Sequence, residues 1–314
     1  MPSPSQPASR GRLIAAFAAV YLIWGSTYLA IRFAIETLPP FLMAGARFTA
    51  AGSILFIALR FAGAAMPTRG NWRDAAIVGA LLLLGGNGGV VWAEQYVHSG
   101  TAALLVATLP IWLVVFDWMR GTGPRPALQT VAGMALGLLG ILLLVGPHSL
   151  RGEATPLVPV LVLVGASMAW AWGSLFSRGA RVPDSPMMAT ALQMLCGGAL
   201  LLAVGTASGE LAELRPQAVS TRSLLALLYL MLFGSIVAYS AYIWLLRHAA
   251  PAHVSTYAYV NPIVAVLLGW ALADEPLTAR VLAAAAVIVG GVAVIVTVRG
   301  RRVGPQRARG EPSE

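Results

Sequence analysis

Apolar stretch follows apolar stretch from about residue 13 to residue 298, with only short polar gaps between them. No water-soluble fold buries that much apolar sequence. Hydrophobic residues make up 58% of the chain and charged residues 11%, against roughly one quarter charged in a soluble domain. A helix needs about 20 apolar residues to cross a bilayer core. Ten segments qualify: 13–35, 40–60, 74–95, 99–118, 127–146, 157–177, 186–207, 223–246, 253–273 and 279–298. The gaps carry turn signals such as Leu38-Pro39-Pro40 and Pro183-Asp184-Ser185-Pro186. The expected fold is all-α and integral to the membrane, with ten transmembrane helices.

The pattern is written twice. Trp24-Gly25-Ser26 returns as Trp172-Gly173-Ser174, and Pro110…Trp118 as Pro262…Trp270. Ten spans in two copies give five per copy. Five is odd, so the second copy enters the membrane from the opposite side, as in transporters built from inverted repeats. The expected units are a segment 1–12, a first five-helix repeat 13–146, a second 157–298, and a basic tail 299–314. With the N-terminus in the cytoplasm, fifteen of the 21 arginines fall on the cytoplasmic side. Four (Arg151, Arg215, Arg222 and Arg280) fall outside, and Arg32 and Arg47 lie within spans. That bias fits the positive-inside rule with both termini cytoplasmic. Arg10 and Arg12 before an apolar run resemble a signal peptide, but the run continues to Ile35, so it reads as an uncleaved first span.

Several function classes fall away. The net charge of +9 is spread over the gaps rather than gathered in a patch, which argues against nucleic acid as a partner. There is no lysine, so Schiff-base, Ser–Lys and P-loop chemistry are excluded. Cys196 is the only cysteine, and neither a CxxC nor an HExxH motif occurs. No cofactor or metal is called for, and the chain does not read as an enzyme. Small residues at helical spacing (Gly85 and Gly89, Gly133 and Gly137, Ala286 and Gly290) favour close helix packing in lipid.

Ile23-Trp24-Gly25-Ser26-Thr27-Tyr28, followed by Pro39-Pro40-Phe41-Leu42-Met43-Ala44-Gly45-Ala46-Arg47-Phe48, resembles the start of the EamA group of the drug/metabolite transporter superfamily. Gly86-Asn87-Gly88…Ala93-Glu94 and Ser255-Thr256-Tyr257-Ala258-Tyr259-Val260-Asn261-Pro262 are similar to its YedA-type exporters. The resemblance covers about residues 13–298. It implies an inner-membrane exporter or facilitator of small organic metabolites, amino acids and toxic analogues among them. Glu275 in Asp274-Glu275-Pro276 matches the family's acidic end-of-helix pattern, whereas Arg120-Gly121-Thr122-Gly123-Pro124 in the first half lacks the acid.

Ionisable groups within spans are costly and mark function by default. Arg47 sits about 10 Å in from the outer end of the second span, at 1.5 Å per residue. Glu94 and Arg32 lie near the outer ends of the third and first. Two readings stand. In one, Arg47 binds a substrate carboxylate, with Glu94 as its counter-ion or as a site coupling transport to protons. In the other, Arg47 and Glu94 are a structural pair and Arg32 snorkels to the interface. Gln193 aligns with Arg47 in the second half. Asn87, in a glycine-rich stretch, reaches either another helix or a ligand. Trp24, Tyr28, Trp172, Tyr239 and Tyr259 belong to a set of mid-span aromatics that suits a cavity for apolar or cationic solutes. Pro110 and Pro262 each free a carbonyl at matching mid-span positions. His248 and His253 flank a short turn, as a pH sensor or as solvated turn residues. The expected function is a monomeric secondary transporter exporting small organic solutes by alternating access, with a channel-like facilitator or a multidrug exporter as the alternative.

Overall fold

The computed structural model describes residues 10–121, 125–150, 156–183, 185–249 and 256–303, and these contain helices and no strand. The long helices are α1 (Arg10–Ala34), α2 (Pro40–Phe61), α3 (Arg69–Ala93), α4 (Ser99–Met119), α5 (Leu128–Leu150), α6 (Leu157–Ser177), α7 (Pro186–Ala207), α8 (221–248), α9 (Tyr257–Ala273) and α10 (Ala279–Val303). Eight have the length and apolarity to cross a membrane; the shorter apolar stretches are Leu128–Leu144 and Tyr257–Ala273. The expectations for His253 and for the tail beyond residue 303 fall outside the described residues.

Local sequence explains where these helices start and bend. Pro40 and Pro186 occupy the first turn of α2 and α7, where a missing N–H costs nothing. Thr68 and Asn71 form a reciprocal capping box at the start of α3, and Ser220 accepts from the Ser223 N–H at the start of α8. Three helices carry wider, π-type turns: Ala19–Ile23, Ala80–Gly88 and Leu230–Ala238. Such turns loosen the backbone ladder and often mark functional segments. The two prolines expected to match do not behave alike. Pro110 follows a break in α4, where Thr108 turns its hydroxyl onto the Leu105 carbonyl (2.7 Å), while Pro262 sits inside an unbroken α9.

Packing follows from close backbone approach, since lipid gives apolar faces no reason to leave it. The most extensive neighbours are α2 with α7 and α5 with α10. The pairs α1–α8 and α3–α6, α1–α9 and α4–α6, and α2–α8 and α3–α7 then recur when each helix is exchanged for the one five later. A Cβ on Gly52 would lie 2.9 Å from the Leu195 nitrogen of α7, so α2 and α7 meet there only because that position is glycine. In α5, Gly133 abuts the Gly291 carbonyl (2.8 Å to a built Cβ), so the α10 contact uses Gly291 and not the expected Gly290, which faces open space.

Candidate functional site

The π-type turns of α8 bring the key groups together. Trp24 leaves the π segment of α1 and donates its indole N–H to the Gly234 carbonyl at 3.2 Å. Its ring meets Tyr242 (5.0 Å between centroids), Tyr257 (5.4 Å) and Tyr239 (6.2 Å), forming an aromatic group from α1, α8 and α9. One residue on, Gly25 lets α1 and α9 touch: a Cβ there would stand 2.6 Å from Val264 Cβ.

Arg47 enters the same region from α2. It is 4% exposed, its Nε donates to Ser235 Oγ at 2.9 Å, and its guanidinium lies 4.5 Å from the Phe48 ring centre. Gly234 makes the room: a Cβ there would be 3.2 Å from Arg47 Nη2. Arg47 Nη1 has no hydrogen-bond partner among the described residues. A buried cationic donor left open is expensive, and in a native fold it calls for a specific explanation.

The expected pairing of Arg47 with Glu94 is not what the structure contains. Arg47 is held by Ser235, and both carboxylate oxygens of the fully buried Glu94 lack a partner among the described residues. The reason lies in chain direction: α2 turns Arg47 toward α8, whereas Glu94 closes α3 beside α1. There the Arg32 guanidinium donates to the Glu94 main-chain carbonyl (3.2 Å) rather than to its carboxylate. Tyr28 lies within electrostatic reach of Glu94 on one side and Tyr257 on the other.

The remaining candidates spread more widely. Gln193 accepts from the Tyr239 hydroxyl at 3.0 Å, which ties α7 to the aromatic group. Asn87 lies in the α3 π segment with its Oδ1 buried and unpartnered, as is Asn261 Oδ1 in α9. Tyr259 sits near Tyr21 at the start of α9, and the Tyr21 hydroxyl pairs with Thr256 Oγ1. Trp172 does not join Trp24. It is 42% exposed, edge-on to Phe116 (5.3 Å), with the Arg120 guanidinium 5.9 Å from its ring. A shallow groove of about 220 Å³ lies elsewhere, between α1 and α8, lined by Arg12, Ala15, Ala16, Ala241 and Trp244. His248 stacks on Trp244 at 4.2 Å and is exposed.

Sequence reasoning missed Ser235, whose hydroxyl orients Arg47, and the part played by two further glutamates. Glu210 accepts from the Phe41 and Leu42 N–H groups (3.1 and 2.9 Å), and Glu275 from those of Ser99 and Gly100 (2.8 and 3.1 Å). Each buried carboxylate thus caps the start of a helix from the other half, where the helix dipole favours negative charge.

Comparison with known proteins places this arrangement. The model of the EamA-like transporter family matches residues 11–146 and 157–297. The inner membrane transporter YedA of Escherichia coli (strain K12) is 42% identical over 296 residues, covering 94% of this chain and 93% of its own. Protein PecM of Dickeya dadantii is 27% identical, covering 87% and 88%. A solved crystal structure with 23% identity covers 94% of this chain and all of its own at a TM-score of 0.64, a likeness of fold. With the family model matching both halves, this chain belongs to the EamA-like transporter family and is a membrane transporter rather than an enzyme.

Proposed function

We propose that the protein is a secondary transporter exporting small organic metabolites, amino acids or their toxic analogues among them, across the inner membrane. It works by alternating access as a monomer of ten helices in two inverted repeats, 13–146 and 157–298, with both termini cytoplasmic. The recurrence of helix pairs on exchange of halves supports the repeats, and the arginine distribution supports the orientation.

One observation carries the substrate reading: the buried Arg47, its Nε fixed by Ser235 and its Nη1 left open. A guanidinium so oriented offers N–H donors in a plane suited to a carboxylate. The Trp24, Tyr239, Tyr242 and Tyr257 rings pack the organic body of the solute, and Glu94 takes up a proton. Those rings also support a second reading, export of cationic or aromatic compounds by stacking and cation–π contact.

The test is efflux from right-side-out vesicles preloaded with labelled amino acids and cationic drugs, for wild type, Arg47→Ala and Glu94→Gln, with and without a pH gradient. Export of an amino acid that Arg47→Ala abolishes, with gradient dependence lost in Glu94→Gln, supports the first reading. Export of cationic drugs by all three proteins replaces it with the second. Efflux that fails to saturate with solute points to a channel-like facilitator.

A further inference from the structure

The corner where α4 begins holds two carboxylates with opposite circumstances. Glu275, on the connection between α9 and α10, spends both oxygens on the Ser99 and Gly100 N–H groups and so ties the second half to the first. Glu94, at the end of α3, is within electrostatic reach of Glu275, fully buried, and without a donor on either oxygen. Ser99 Oγ beside them is also buried and unpartnered. A bare carboxylate anion is not sustained in a buried site next to a second one.

We propose that Glu94 is a proton-binding site that licenses a latch: the Glu275 cap on α4 closes this end of the bundle only while Glu94 carries a proton. The inference rests on the transporter reading above and deepens it. Opening the corner admits water to Glu94, which releases its proton. The resulting anion then opposes return of the Glu275 carboxylate until a proton is rebound. The sign follows directly. The closed state holds one more proton than the open state, so acid favours closure and rising pH favours opening, by up to about tenfold per pH unit for one proton. The groups facing this corner from α1 are Arg32, on the Glu94 carbonyl, and Tyr28. His98, exposed, precedes Ser99 on the α3–α4 connection.

The experiment places a reporter thiol at the latch. Ser99→Cys keeps the backbone donor and replaces a hydroxyl without a partner; Cys196→Ser removes the native thiol. The full chain in lipid nanodiscs, without substrate, is labelled with a membrane-impermeant maleimide from pH 5 to 9. Each rate is divided by that of the detergent-unfolded protein at the same pH. Expected is a slow normalised rate in acid that rises with pH toward the one-proton limit. In Glu94→Gln the rate stays slow and flat; in Glu275→Gln it is fast throughout. A pH response that survives Glu94→Gln, or disappears in His98→Gln, overturns the proposal, as does slow labelling in a folded Glu275→Gln. If Glu275→Gln does not fold, the Glu94→Gln arm decides alone. Arg47→Ala carrying the same reporter keeps the pH response, so failure to find a transported solute and failure of the latch are separate results.

Discussion

Trp-Gly-Ser occurs at residues 24–26 and again at 172–174, and the two copies have unlike surroundings. In α1 the indole of Trp24 is bonded to the α8 backbone and packed by three tyrosines. In α6 Trp172 is 42% exposed and touches Phe116 of α4 and Arg120 just after it. Gly25 brings α1 against α9, whereas Gly173 seats Leu81 and Leu82 of α3. The same tripeptide therefore specifies a helix and a close approach, and the neighbours decide what the tryptophan does. Arg47 and Gln193 show the same divergence: one is a buried cation on Ser235, the other a neutral acceptor for Tyr239. The duplicated halves share packing and differ in chemistry.

The widest gap is expected between the tryptophans themselves. Trp24→Ala removes one part-buried hydrogen bond and three ring contacts, at a cost of about 3 to 5 kcal/mol. Trp172→Ala costs about 1 kcal/mol, since nearly half the side chain is already free of protein contact. Unfolding in detergent, followed by helical signal against denaturant, measures both. Equal losses would mean that the two copies are equivalent in the folded protein after all.

Next is Arg47→Gln, which gives the first half the residue that the second half has. A charged hydrogen bond is worth roughly 1.5 to 3 kcal/mol, so affinity for a carboxylate-bearing solute should fall about 10- to 100-fold. Export of cationic compounds should be retained. Saturation of efflux in vesicles reads both, and unchanged carboxylate affinity would remove Arg47 from the substrate site.

A smaller effect tests where the halves do agree. At one end, Asp74 accepts from the Arg181 N–H (2.8 Å), tying the start of α3 to the α6–α7 connection. At the other, Ser223 donates to the Phe33 carbonyl (2.8 Å), tying the start of α8 to the last turn of α1. Asp74→Asn and Ser223→Ala should each cost about 1 kcal/mol, and by similar amounts if the two ties are one construction used twice.

Helix existence was legible because apolar length and turn residues act locally: Pro40 and Pro186 start helices as their fixed φ requires. The family was legible because its motifs run through much of both halves. Which residues meet was not. Arg47 and Glu94 share an outer third in sequence, but their rotation about α2 and α3 sends them to different neighbours. Ser235 carried no signal beyond a lone hydroxyl in an apolar run, and the widened turn that presents it has no clear composition. Glu275 was visible as an acid before a proline. Its target, the amides of Ser99 and Gly100, lies more than 170 residues away and only tertiary structure supplies it.

The smallest expected effect concerns Gln193. Its Oε1 accepts from the Tyr239 hydroxyl, and that tyrosine in turn faces Trp24. Gln193→Met keeps the volume and removes the acceptor. Hydrogen bonds between helices in membranes average about 0.6 kcal/mol, so the unfolding midpoint should move little. Tyr239, however, would lose the partner that holds its ring against Trp24, and the aromatic group would loosen. Trp24 fluorescence should then broaden or shift while stability holds. If stability falls as far as in Trp24→Ala, Gln193 is a packing residue of the α7–α8 contact. The polar counterpart of Arg47 would then have no part in the aromatic site.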